Sequence, residues 1–134
     1  MSLDRFLQAQ ETHGSYERAL AELKAGEKSS HWMWWIFPQL RGLGKSHNST
    51  YYGLADEDEA REFLAHPVLG ARYRECVAVV HGHLCAGRGA ALTLMGSEVD
   101  VLKLRSSLEL FLKVAAPSEE ALREQATGIL PKLG

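Results

Sequence analysis

Ser29-Ser30-His31-Trp32-Met33-Trp34-Trp35-Ile36-Phe37-Pro38-Gln39 is the stretch on which the reading of this chain turns, and it runs straight into a polar, basic loop, Arg41-Gly42-Leu43-Gly44-Lys45-Ser46-His47. All three tryptophans of the protein lie within four positions here. An apolar run of this length suits a buried strand as well as one or two helical turns. Helix is favoured because Ser29 or Ser30 offers a cap and no partner strand is evident elsewhere, and Pro38 ends the element either way.

Outward from that run the helical period dominates. Asp4 caps a first helix to about Thr12, and Ser15 caps a second in which Ala19, Leu20 and Leu23 share a face before Gly26 stops it. The acids after Asp56 suit the positive end of a third, with Ala60, Phe63 and Leu64 on one side. Pro67 opens the central helix, where Leu69, Tyr73, Cys76, Val77, Val80 and Leu84 recur at three-and-four spacing until Gly87. A short turn from Ala90 to Met95 ends at Gly96. Ser97 then caps a long helix bearing Val101, Leu104, Leu108, Phe111 and Val114, and Ser118 caps a final one after Pro117. Nothing alternates at period two and no repeat appears. The expectation is an all-α fold, a compact single-domain bundle over residues 1–134 of about six to seven helices, several of them short.

Composition agrees. A chain of 134 residues, 46% hydrophobic and 24% charged, matches one ordinary globular domain able to stand without disulfides or a structural metal. Cys76 and Cys85 fit no C-x-x-C pattern, so Cys76 reads as core and Cys85 as incidental. No signal peptide or spanning segment is visible, which predicts a cytoplasmic protein without membrane association. The net charge of −2 and the scattered lysines and arginines lack the electrostatic footprint of a nucleic-acid binder.

Several motifs occur together in order: Ser30 to Gln39, Gly42-Leu43-Gly44-x-Ser46, Tyr52-Gly53, His66-Pro67-x-Leu69-Gly70-x-Arg72, and Lys103-Leu104-Arg105-Ser106-Ser107. On these motifs the chain resembles the domain of unknown function 1810 family, from about Phe6 to about Pro117. The resemblance implies a mainly helical fold and no established reaction. Some family members carry the label calpastatin, a disordered inhibitor unlike this apolar chain. Two departures stand out: Trp35, where relatives more often have phenylalanine, and a divergent C-terminal helix, residues 118–131, that lacks the family's Gly-Asp and Thr-Leu pattern.

The loop imitates the end of a phosphate-binding P-loop but fails at its first position, where Gln39 stands in place of glycine. A weaker anion site survives, in which Gly42 and Gly44 turn backbone amides inward beside Arg41, Lys45 and Ser46; the alternative is a glycine-rich turn with solvated charges. Three neighbouring tryptophans cannot all point one way, so at least one is expected at a cleft although core is the default for each. His31 and His66 are candidate proton carriers, with capping or packing as the plainer role. The six histidines show no metal spacing, and His81 and His83 diverge on a helix. Lys103 and Ser106 share a helical face that is either solvated or meets the loop, where Lys103, Arg72 and Lys45 converge on an acidic ligand.

These readings assemble a pocket with His31, His66 and Lys103 in catalytic roles. Trp32, Trp34, Gln39, Gly42, Gly44, Lys45, Ser46, Tyr52, Arg72 and Ser106 bind the ligand, and no metal is called for. The expected partner is a small anionic, ring-bearing molecule such as a nucleotide or nucleotide-sugar derivative, the ring on tryptophan and the phosphate on amides and cations. If it is hydrolysed, His31 is the base and Lys103 or Arg72 steadies the negative charge. The competing class is a protein-interaction module that uses the aromatic segment as a partner-binding surface. A concave pocket around His31 favours the first and a flat aromatic patch the second.

Overall fold

The computed structural model describes residues 3–133 except Leu43 and Arg88. Along the chain the helices are α1 (Asp4–Glu11), α2 (Ser15–Ala25), α3 (Met33–Ile36), α4 (His47–Tyr51), α5 (Glu57–Ala65), α6 (Leu69–Cys85), α7 (Ala91–Met95), α8 (Glu98–Val114) and α9 (Glu120–Ile129), with 3-10 turns at Thr12–Gly14 and Leu130–Leu133. Among the described residues the extended pairing is a lone parallel bridge between Leu40 and Leu54. The protein is all-α, as its periodicity predicts.

Two long helices organise the packing. The stripe of α6 from Leu69 to Leu84 is buried and the helix lies against α2, α5 and α9, while α8 packs on α5, α7 and α9. Tyr73 sits at the centre with its ring near Phe37, Phe63 and Phe111 at centroid distances of 5.9, 6.2 and 4.2 Å. Burying a large side chain of this kind contributes about 1.5–3 kcal/mol. Its hydroxyl is satisfied by Ser107 Oγ at 2.9 Å, which removes the cost of a buried polar group. Cys76 is core as predicted; burial and then Glu75 push its thiol up to about 12, so it stays protonated. At Gly70 a Cβ would lie 2.0 Å from the Leu64 carbonyl oxygen, so the close approach of α5 to α6 requires glycine there.

The helix signals hold in the middle of the chain. Asp56 accepts from the Glu59 amide and Ser97 from the Asp100 amide, and Gly26 and Gly96 end their helices with φ of 85° and 86°. Elsewhere the caps differ. Asp4 and Ser15 already lie in the first turns of their helices, and neither α1, α2 nor α9 has a side-chain cap bond, so Ser118 does not cap either. Instead of Pro67, His66 marks the start of α6, its Nδ1 accepting from the amides of Val68 and Leu69 at 3.1 and 3.2 Å. The tryptophan run is helical for only four residues, and Trp32 precedes that turn with φ −144°. Its serines do not cap it because the turn begins only at Met33, with Trp32 at its N-cap position, while both serine amides and the Ser30 hydroxyl donate to Glu22 of α2. The short α4 lies where the sequence suggests only loop.

Arg5 is a buried charge with no apolar-pattern signature. Its guanidinium meets Glu59 at 2.9 and 3.2 Å and donates to the carbonyls of Tyr51 and Gly53 at 2.8 and 3.1 Å, so α1 is joined to α5 and to the end of the loop at once. Burial raises the Glu59 carboxyl, but the Arg5 hydrogen bond and the Ala55 amide leave it below its ordinary value. Glu59 therefore remains ionised at neutral pH.

Candidate functional site

The loop of residues 39–54 is built to satisfy itself. At its neck Leu54 N donates to Gln39 O at 2.9 Å and Arg41 N to Leu54 O at 2.7 Å. The Arg41 guanidinium turns back onto the carbonyls of Thr50 and Gly53, at 3.0 and 3.2 Å, and Ser46 Oγ caps α4 by accepting from the Ser49 amide. Gly42 is exposed with φ 97°, and a Cβ on Gly44 would press on Ser49 at 3.0 Å. Leu43, between them, lies outside the described residues. Two of the side chains expected to hold an anion thus close hydrogen bonds of the loop, because a segment without regular structure must find partners for its own carbonyls and amides. Lys45 alone of that set is exposed and without a partner among the described residues.

The tryptophans separate. Trp32 is 1% exposed and its Nε1 donates to Glu22 at 2.9 Å, with Lys28 above its ring at 5.1 Å. Trp34 is half-buried beneath Lys103, whose ammonium lies 4.0 Å from the ring centroid and 3.5 Å from Asp100, a carboxylate shared with Lys28 at 2.9 Å. Trp35 turns elsewhere, onto Tyr52 at 5.1 Å, and its Nε1 donates to Ser15 Oγ at 2.9 Å. None of the three indoles is exposed. Glu22 controls the entry to this segment: burial disfavours its charge, yet bonds from the Ser30 hydroxyl, the amides of Ser29 and Ser30 and the Trp32 indole outweigh that and hold its carboxyl at about 2.

The third tryptophan opens onto a concave site. A cavity of about 310 Å3 is lined by Ala9, Thr12, His13, Ser15, Arg18, His31, Trp35 and Tyr52. Its aromatic side is Trp35 with Tyr52, and its nitrogen donors come from the α1–α2 corner and from the strap before α3. Among the described residues His13, Arg18 and His31 have neither a hydrogen-bond nor an ion-pair partner. That distinguishes Arg18 from Arg5, Arg41, Arg61, Arg72, Arg74 and Arg123, each bonded to a carboxylate or carbonyl. Among the described residues no carboxylate lines the cavity. Burial lifts the Tyr52 phenol above its ordinary value, so it stays neutral.

Three of the remaining candidates, His66, Arg72 and Gln39, have structural duties. His66 holds the start of α6. Arg72 joins α6 to α1 by an ion pair with Glu11 at 2.7 Å and a bond to Gln10 at 3.1 Å, and covers the Tyr16 ring at 4.6 Å. Gln39 contributes its backbone to the loop neck, and Ser106 is half-buried without a partner. Of the predicted set the fold brings His31 and Tyr52 to one cavity, and Lys103 to Trp34; Lys45, Arg72 and Lys103 do not line the His31 cavity. Ala9, Thr12, His13, Ser15, Arg18 and Trp35 are the lining residues that the sequence did not single out for a site, although Trp35 lay inside its key run. The one local signal for the others is the His13-Gly14-Ser15 junction between two helical periods.

The family described as "Protein of unknown function (DUF1810)" matches residues 1–128, and the chain belongs to that family. A crystal structure of the conserved hypothetical protein Rv1873 from Mycobacterium tuberculosis is 37% identical, with a TM-score of 0.83 over 97% of this chain and 85% of that one. No curated protein matches the chain. No helix among the described residues is long and apolar enough to cross a membrane.

Proposed function

We propose that this DUF1810 protein is a cytoplasmic binder of a small anionic, ring-bearing molecule, held in the cavity of His31, Trp35 and Tyr52. The observation that carries the reading is the sharing of that cavity by three uncommitted nitrogen-bearing side chains and two aromatic rings, with no carboxylate among the lining residues. An aromatic wall of indole and phenol accepts a flat ring by stacking, and an unpaired guanidinium accepts two anionic oxygens through its planar fork. A nucleotide or nucleotide-sugar derivative has both parts. Should the bound ester be hydrolysed, His31 takes the proton from water. Arg18 then steadies the developing charge in place of Lys103 and Arg72, which are already engaged with Asp100 and Glu11.

Thermal unfolding in the presence of nucleoside mono- and diphosphates and nucleotide sugars tests this, with wild type, His31→Ala and Arg18→Ala. Both side chains are exposed and unbonded, so their removal costs little, within about 0.5 kcal/mol. A ligand at about a hundredfold excess over its Kd adds about 2.7 kcal/mol, several degrees of Tm. The shift is expected in wild type and absent in Arg18→Ala. A flat response to the whole panel refutes the reading, and product release that His31→Ala abolishes establishes turnover.

A further inference from the structure

We infer that the cavity takes its anion as a terminal phosphate at the α1–α2 corner, donated to by His13, Arg18 and the Ser15 hydroxyl, so that the ligand class is a nucleoside monophosphate and His13 is a binding residue. The inference rests on the reading of this cavity as an anion site. Its starting point is the backbone. His13 has φ 54° and ψ 28°, and among the described residues no other non-glycine residue has positive φ. The left-handed conformation is unfavourable for a residue with a Cβ, and a strained position at a cavity wall is an observation from which function is argued. With Gly14 also left-handed at φ 65°, the chain kinks between α1 and α2 and leaves the imidazole exposed, lining the cavity and bonded to nothing among the described residues.

Ser15 also lines the cavity. Its oxygen accepts the Trp35 indole N–H at 2.9 Å, which leaves the hydroxyl proton to be donated. The same atom thereby fixes the spacing between the ring wall and the anion seat. Thr12 is different: its hydroxyl is spent on the Gln8 carbonyl at 2.6 Å. Around the seat stand two imidazoles, one guanidinium and one hydroxyl. Phosphorylated groups present three terminal oxygens to such donors, whereas a carboxylate or a bridging phosphodiester presents two. The nearest acid in the first turn of α2, Glu17, lies beside Gly14 and outside the lining, and Glu11 is paired with Arg72. The volume of about 310 Å3 sits at the small end of ligand pockets, about 300–1,000 Å3. One base and sugar with one phosphate suits it better than a nucleotide sugar.

Titration calorimetry with the adenosine, guanosine, cytidine and uridine 5′-monophosphates, the matching nucleosides and UDP-glucose provides the test, on wild type, Ser15→Ala and His13→Gly. Glycine is at ease at φ 54°, so His13→Gly is expected to hold or raise the Tm, and any loss of affinity then reports the imidazole alone. At least one monophosphate is expected to bind, with its nucleoside and UDP-glucose weaker by about tenfold or more and His13→Gly weakening it by about tenfold. Equal affinity for UDP-glucose, or unchanged affinity in His13→Gly, overturns the phosphate assignment while leaving an anion site in place. If neither the monophosphates nor UDP-glucose binds, the reading of the cavity falls and takes this inference with it.

Discussion

Glu22→Gln is the perturbation that most directly tests how this fold positions its site. One oxygen of the Glu22 carboxylate accepts from the Ser29 amide at 2.8 Å, the Ser30 amide at 3.0 Å and Trp32 Nε1 at 2.9 Å, and the other accepts from the Ser30 hydroxyl at 2.6 Å. These bonds fasten to α2 the strap that carries His31 and leads to Trp35. A carboxyl that moves from its ordinary 4.5 to about 2 on folding is linked to about 3 kcal/mol of stability. Because water still reaches part of the group, about 2 kcal/mol is the expected figure. The sign follows from the depressed folded value: the contribution is complete above pH 4.5 and is lost as pH falls toward about 2. Urea unfolding of wild type and Glu22→Gln at a series of pH values reads it. The variant is expected to be less stable by about 2 kcal/mol at neutral pH, and the gap should close through that acid window. Glu57 and Glu59 are also held below their ordinary value, Glu57 by its bond to Lys113, but they are present in both proteins and cancel in the difference. A gap that stays constant with pH, or one below about 0.5 kcal/mol at neutral pH, refutes the assignment of these four bonds.

Three further outcomes are expected. Arg5→Met should cost about 3–5 kcal/mol in urea unfolding because it strands the Glu59 carboxylate in the interior, and Arg5→Met with Glu59→Leu should recover much of it; a single variant within about 1 kcal/mol of wild type would contradict the buried pair. Gly70→Ala should destabilise by about 3 kcal/mol or more, since its methyl meets the Leu64 carbonyl oxygen at 2.0 Å. Gly82→Ala, in the same helix with nothing within 4 Å, should stabilise by about 0.5–1 kcal/mol. Equal effects of the two alanines would mean that α5 and α6 do not approach as described.

Much of the architecture was legible in the chain because it rests on local rules. The stripe from Leu69 to Leu84 is one face of a helix whatever surrounds it, and all six of its members are buried. Asp56 and Ser97 cap because each precedes a helical run with its amide partner three residues on. Some of the expected caps are claimed by tertiary contacts: the Ser15 oxygen accepts from an indole twenty residues away, and Ser29 and Ser30 donate to Glu22. The loop's own bonds were hidden for a mixed reason: the chain's return at Leu54 brings the Thr50 and Gly53 carbonyls to Arg41, whereas Ser46 caps α4 locally by accepting from the Ser49 amide.

By itself the sequence determined the helical class and the central stripe, since periodicity needs no knowledge of distant neighbours. Only the tertiary structure decided which tryptophan lines the cavity and which cations stay unpaired. Trp32, Trp34 and Trp35 are chemically alike, and their fates are set by Glu22, Lys103 and Ser15, groups far away in the chain. Arg18 resembles any other surface arginine until the corner at His13 brings it beside residues 31, 35 and 52. The chain folds Arg72 onto Glu11 and leaves Arg18 without an acid; pairing of charges is a property of distance, and distance between remote residues is created by packing.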